Sequence, residues 1–303
     1  MSELIIGVDI GYGNTKTAHS CMGSGVSKLV SKPPISTRVI EWNGGYYSVG
    51  GQKMTIQQSK VQDENTLVLT LAAIAEEMKR VNTTSACVHL GVGVPLTRMG
   101  MEKDEMQAYY MRNRHYTFRY EEKTYSIVLN SVSVFPQGYA GIAHMLGELP
   151  KSSLIIDIGS WTVDLLPIIE KRPVLEKCKS LNMGTIPAMN DINEDLRQSV
   201  GGEADVITLI EVMSNGKSEI SPKYLECIRN GIHRYLDGLM DQIRAFGFNP
   251  DITKFVFVGG GASIVKNFLD LDNYPRALVI DDVNINAKGY EQLLRRKFQG
   301  GGK

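Results

Sequence analysis

The sequence predicts an α/β protein built from two related halves, and three observations predict it. An apolar run ending in Asp-x-Gly occurs twice, as LIIGVDIGYGNTK from Leu4 to Lys16 and as LIIDIGSWTVD from Leu154 to Asp164. The two aspartates, Asp9 and Asp157, stand 157 − 9 = 148 positions apart in a chain of 303 residues. A third apolar run, Phe255 to Val258, leads into Gly259-Gly260-Gly261-Ala262, where a ligand can lie against bare backbone. In each of the first two, a buried strand delivers a carboxylate to its exposed end, and glycine lets the following turn bring backbone N–H groups close to a ligand. Two such turns facing each other could hold a polyphosphate and its metal. Asp9 and Asp157 would act on Mg²⁺ through water, because Mg²⁺ keeps much of its hydration shell and takes few protein carboxylates.

A chain of this length buries a large core and normally forms two domains, here read as 1–150 and 151–303. Leu4 to Cys21 reads as strand, glycine turn and strand. Residues 31–81 begin differently: Pro33-Pro34, Trp42-Asn43-Gly44-Gly45 and Gly50-Gly51 punctuate short strands such as Tyr46 to Val49, which suggests a small inserted subdomain. Leu67, Leu71, Ile74, Ala75 and Met78 then repeat at helical spacing. Val88 to Pro95 has buried-strand character, and Tyr125 to Phe135 reads as a further strand pair leading to Pro136-Gln137-Gly138. After Asp157, Met183-Gly184-Thr185 precedes a helical segment, and residues 186–250 are expected to hold a second inserted subdomain. Within it Ser221-Pro222 opens a helix whose apolar face runs from Leu225 to Phe246, where Gly247 stops it.

Composition removes several function classes. Hydrophobic residues make up 43% and charged residues 22% of the chain, as in soluble globular proteins. The 33 basic and 33 acidic residues cancel, so overall charge supplies no counterion-release attraction for direct DNA binding. Cys21, Cys87, Cys178 and Cys227 form no CxxC pair and read as small buried apolar residues of a reducing compartment. With no basic leader and no stretch near the roughly 18 apolar residues of a membrane span, the expectation is a cytoplasmic protein without membrane contact. Asn215-Gly216-Lys217-Ser218 imitates the end of a P-loop, but Glu211 stands where its first glycine belongs. The basic and aromatic run from Tyr109 to Tyr120 reads as a subdomain surface making protein contacts, because Glu121 and Glu122 follow at once.

In order and spacing, the segments Asp9 to Lys16, Val134 to Gly141, Asp157 to Asp164 and Val258 to Ala262 resemble the phosphate-1, connecting, phosphate-2 and adenosine segments of the actin, Hsp70 and sugar-kinase ATPase superfamily. Within it the chain is most similar to bacterial plasmid-segregation actins of the ParM type. The resemblance implies an actin-like, ribonuclease H-like α/β fold, with duplicated domains flanking a nucleotide cleft. It places phosphate binding on Gly11, Tyr12, Gly13, Asn14 and Lys16 in the first loop and on Gly159, Ser160, Trp161 and Thr162 in the second. Gly259, Gly260, Gly261 and Ala262 would take the adenosine. Lys16 falls at the phosphate-1 lysine position and would neutralise phosphate oxygens as a point charge. Tyr12 departs from the serine common in such loops, and Trp161 stands in a loop that usually carries small residues.

Gln137 is the candidate for positioning the attacking water, since phosphoryl transfer asks the protein for orientation and charge stabilisation. It sits as in actin, whereas the segregation actins tend to use glutamate. Asp157 is the hydrolytic carboxylate by the same analogy. The implied activity is an ATPase, with GTP as an alternative substrate, that polymerises with bound nucleotide and Mg²⁺. Its filaments would segregate plasmid DNA through a DNA-binding adaptor of the ParR type. The competing readings are a small-metabolite kinase of the same fold and a cell-shape or division actin.

Overall fold

The computed structural model describes residues 2–33, 38–51 and 63–300. The chain divides into two units, Met1–His144 with Asn284–Lys303, and Met145–Val283. The first unit opens with β1 (Ser2–Ile10), β2 (Asn14–Lys16), β3 (Cys21–Leu29), β4 (Val39–Trp42) and β5 (Gly45–Gly50). It continues with α1 (Glu64–Arg80), β6 (Ser85–Val94), α2 (Met99–Met111), β7 (His115–Tyr120), β8 (Lys123–Pro136) and α3 (Tyr139–Ile142). The strands close into a barrel in the order β1-β2-β3-β5-β4-β7-β8-β6, with β6 parallel to both β1 and β8. β2 meets β1 only at Asp9↔Lys16 and Ile10↔Thr15, so the seam is short.

The sequence explains these elements locally. α1 starts where the Asp63 side chain accepts the Asn65 N–H at 3.1 Å, and it ends on Lys79 and Arg80. Thr66 to Ala75 are all buried, as expected of a helix inside a core. In β7, Tyr116, Phe118 and Tyr120 point inward while His115, Thr117 and Arg119 are exposed. With Tyr109 and Tyr110 they join the main apolar cluster. The rings of the run are therefore core, and strand alternation separates them from the exposed basic residues between them. Tyr125 to Phe135 lies within one strand, β8, and not a strand pair. The described part of 31–81 supplies β4, β5 and α1 to this same barrel and core. Residues 34–37 and 52–62 of that expected subdomain lie outside the described residues.

The second unit holds β9 (Ser152–Ile158), β10 (Val163–Ile169), β11 (Arg172–Pro173), β12 (Lys179–Leu181), α4 (Thr185–Val200), α5 (Val206–Asn215), α6 (Pro222–Ala245), β13 (Lys254–Val258), α7 (Ala262–Phe268) and β14 (Leu278–Val279). Its sheet runs β11-β10-β9-β13-β14, with β12 on β10. The helices of 186–250 share one apolar cluster with β9, β10 and β13. The P-loop imitation is a helix end: Gly216 caps α5 at φ 73° and donates its N–H to Val212 O at 2.7 Å. At the start of α6 the backbone carbonyl of Ser221 accepts the N–H groups of Tyr224 and Leu225, while its hydroxyl makes no capping bond. All four cysteines are free, but Cys21 is exposed and the other three are half-buried, so the buried reading is corrected.

The last helix, α8 (Ile285–Gly300), returns to the first unit and packs on β1, β6 and α3. Expecting all of 151–303 in one domain was therefore wrong at this end. Ala287, Tyr290 and Leu294 are buried, and Tyr290 stacks on Phe135 with centroids 5.9 Å apart. Glycine makes the seat possible: a methyl group on Gly7 would overlap Ala287 O, and one on Gly289 would overlap Ala140 O. Replacing a helical glycine by alanine ordinarily gains about 1 kcal/mol. Here the overlap reverses the sign, and Gly289→Ala should lose about 1 to 3 kcal/mol in equilibrium denaturation. A stabilised variant would show that the helix seat is loose.

A buried carboxylate ties α1 to the chain beyond β2. Glu77 accepts the Thr17 hydroxyl, meets His19 Nδ1 at 3.0 Å and receives Arg80 Nε at 3.1 Å. Burial alone would raise its pKa, but the hydrogen bonds from Thr17 and Arg80 and the charge of His19 outweigh burial and hold it below the ordinary value. A depressed folded-state pKa contributes stability above the unfolded value, and that contribution is lost as pH falls through the folded one. The stability difference between the native chain and Glu77→Gln should thus be largest near neutrality and shrink below about pH 4.5. Denaturation curves from about pH 7 to about pH 3 test this; a difference independent of pH would remove Glu77 as an ionised clamp.

Candidate functional site

The first Asp-x-Gly turn explains the seven-residue spacing of Asp9 and Lys16. The β1–β2 hairpin places them directly opposite one another, and the turn closes with Gly11 N–H donating to Asn14 O at 2.9 Å. The Gly11 N–H, expected to reach phosphate, is thereby engaged within the turn. Tyr12 and Gly13 are half-buried and Asn14 is exposed. Ser24 on β3 holds the turn from behind. Its hydroxyl donates to Gly11 O at 2.7 Å and lies 2.9 Å from Thr15 Oγ1, while its N–H donates to Gly13 O at 2.9 Å.

Asp9 is only 3% exposed. Its Oδ1 accepts Gln137 Nε2 at 2.8 Å, and Lys16 Nζ stands 3.7 Å from its Oδ2. Three residues singled out from separate stretches of sequence, Asp9, Lys16 and Gln137, therefore meet. A buried carboxylate needs such partners, because an uncompensated charge in the interior is expensive. Gln137 arrives from the end of β8, where its N–H donates to Val94 O at 2.9 Å.

The second turn repeats the first. Gly159 N–H donates to Thr162 O at 2.9 Å, and Asp157 stands opposite Asp164 across the β9–β10 hairpin. Asp157 is 8% exposed and alternates with Ile156 and Ile158, which face the apolar cluster. The carbonyls of Gly159, Ser160 and Trp161 accept the N–H groups of Thr185 at 3.1 Å, Ile186 at 2.8 Å and Gly184 at 2.9 Å. These donors lie at the start of α4, where helix geometry leaves N–H groups without intrahelical partners. A methyl group on Gly184 would overlap the Trp161 backbone. The backbone of Trp161 thus anchors α4, and its side chain is half-buried, as are Ser160 and Thr162.

The glycine run after β13 lies against the same turn. Gly261 N–H donates to Ile158 O at 2.9 Å. Gly259, at φ 88°, passes so close to Asp157 that a side chain would overlap Oδ1. Gly259, Gly261 and Ala262 are buried, leaving Gly260 as the exposed member of the expected adenosine set. Sequence reading missed Ser24, Glu77 and the role of Gly184 as an anchor. None of the three left a signal: Glu77 stands among charged residues, with Glu76 before it and Lys79 and Arg80 after it, at the polar end of α1.

Two families match the chain. Residues 7–139 match the one described as actin like proteins N terminal domain, and residues 155–271 match the archaeal actin homologue MreB-like C-terminal family. No curated protein matches it in sequence. Among solved structures, a 15-stranded ParM filament from Clostridium botulinum gives a TM-score of 0.75 at 18% identity, covering 98% of this chain and 100% of that one. The archaeal actin homolog Ta0583 in complex with ADP gives 0.72 at 21% identity, covering 97% and 99%. ParM of Bacillus thuringiensis with ATP gives 0.71 at 13% identity, covering 100% of both chains. At such identities the likeness is one of fold. Because the paired Asp-x-Gly turns fall within an actin-like first half and an actin-homologue second half, the chain belongs to the actin-like ATPase superfamily.

Proposed function

We propose that this protein is an actin-like nucleotide-hydrolysing filament protein that polymerises with ATP, with GTP as an alternative substrate, and drives plasmid DNA segregation through a DNA-binding adaptor of the ParR type. The observation that carries the reading is the meeting of Asp9, Lys16 and Gln137 behind a glycine turn, together with the repeat of that turn at Asp157. Lys16 neutralises phosphate oxygens, and Gln137, its amide oriented by Asp9, aligns the attacking water. Asp157 is the hydrolytic carboxylate. Tyr12, Gly13, Asn14, Ser160, Trp161 and Thr162 border the phosphates, and Gly260 with its neighbours borders the adenosine.

The donor set suits Mg²⁺ held through water. Asp9 and Asp157, 3% and 8% exposed, each stand near a strand end before a glycine turn, and Mg²⁺ is commonly held by one or two carboxylates, phosphate and water. When bound, it supplies charge neutralisation at the phosphates. The neighbours described with ATP, with ADP and as a filament support nucleotide binding and self-association as the family's pattern. A formal net charge of zero favours an adaptor over direct DNA contact. Among the described residues no helix is long and apolar enough to cross a membrane.

Asp157→Ala should abolish phosphate release while leaving the circular dichroism spectrum unchanged. Hydrolysis within a few-fold of the native chain would reduce Asp157 to a turn residue. Assembly should show a critical concentration that depends on nucleotide, since a head-to-tail contact that does not close generates an open filament. Gln137→Ala should keep nucleotide binding but slow hydrolysis by about 10- to 1000-fold, so that its sedimentable polymer persists longer. Normal turnover in that variant would remove Gln137 from catalysis. A monomer at every concentration, combined with phosphate transfer to a small acceptor, would favour a kinase.

A further inference from the structure

The corner that carries Gln137 has an unusual backbone. Gly138 sits at φ 69° and ψ −58°, and Tyr139 N–H donates to Gln137 O at 2.7 Å, spanning two residues. This is the γ-turn with positive φ at its centre, rare in proteins and open to glycine because it carries no Cβ. Glycine has no intrinsic preference for this hand of turn, so surrounding contacts must select it. The holding contact comes from far along the chain: Gly138 N–H donates to Asn286 Oδ1 at 2.9 Å, in a buried setting. Asn286 is 7% exposed and is the second residue of α8. That helix is seated without slack, with Gly289 against Ala140 and Gly141 against Ile285 and Asn286. Gln137 is thus constrained through its own N–H to Val94, its carbonyl to Tyr139, its amide to Asp9 and its neighbour's N–H to Asn286.

We infer that Asn286 is a positioning residue for Gln137, pinning the Gly138 turn so that the glutamine amide keeps its direction. The inference rests on the proposed hydrolytic role of Gln137. Asn286→Ala should slow single-turnover ATP hydrolysis by about 10- to 100-fold. ATP affinity should stay within about 3-fold, and the melting temperature should be nearly unchanged. Asn286→Asp, which retains an acceptor oxygen, should recover most of the rate. If Asn286→Ala does not fold, Asn286→Ser, with a shorter acceptor, serves in the same comparison.

A second readout does not depend on turnover. In protein carrying ¹⁵N-labelled glutamine, the Gln137 side-chain amide resonance, assigned by its loss in Gln137→Ala, should move in Asn286→Ala and return towards its place in Asn286→Asp. A native rate in Asn286→Ala, or parallel losses of rate, affinity and melting temperature, would overturn the inference. If the native chain hydrolyses no nucleoside triphosphate, the functional reading fails by itself. The resonance then decides whether Asn286 holds Gln137, and an unmoved signal would overturn that too.

Discussion

Keeping the Asp9 carboxylate out of water is the constraint around which the first unit is arranged. A strand buried on both sides can carry a charge to its end only if neighbours compensate it. Lys16 does so from across the hairpin, and Gln137 does so from the end of β8. Each choice fixes something larger. The lysine contact sets hairpin register, and a slip of one residue would turn Lys16 to the opposite face. The glutamine contact requires β8 to end beside β1, which parallel pairing through β6 achieves.

Backbone hydrogen-bond accounting links the two Asp-x-Gly turns. Both engage their leading glycine N–H internally, and both direct carbonyls backward into the fold, to Ser24 in one case and to the start of α4 in the other. A turn whose carbonyls are already satisfied is preorganised: a ligand meeting its tip need not order the loop first. The glycines at 184, 259 and 261 are therefore matters of contact distance, with little room for any side chain beside the second turn.

Local grammar made much of this legible. The Asp-x-Gly turns, β9, β13, α1 and α6 each announce themselves within a few residues, and hairpin register converts the spacing of Asp9 and Lys16 into contact. The partners of those segments were not legible. Thr17 and Glu77 lie 60 residues apart, Gly138 and Asn286 lie 148 apart, and Gly7 and Glu291 lie 284 apart. No periodicity carries information over such distances. In β7, His-Tyr-Thr-Phe-Arg-Tyr reads as one mixed surface until the strand period sends its rings inward and its polar residues outward. The return of α8 to the first unit was hidden because an amphipathic pattern gives the buried face of a helix without naming what covers it.

That return has a consequence for the birth of the chain. Residues 145–283 are continuous and hold a sheet with its own apolar cluster, so this unit can be completed as it leaves the ribosome. The first unit is emitted first but finished last, since the glycine seat on β1 and β6 stays uncovered until α8 follows. Contacts of such long sequence separation form late and leave apolar surface exposed in the meantime. A nascent chain therefore carries both Asp-x-Gly turns before it has the helix that pins the corner beside Gln137. The order of synthesis itself separates the making of the turns from the completion of the corner that carries Gln137.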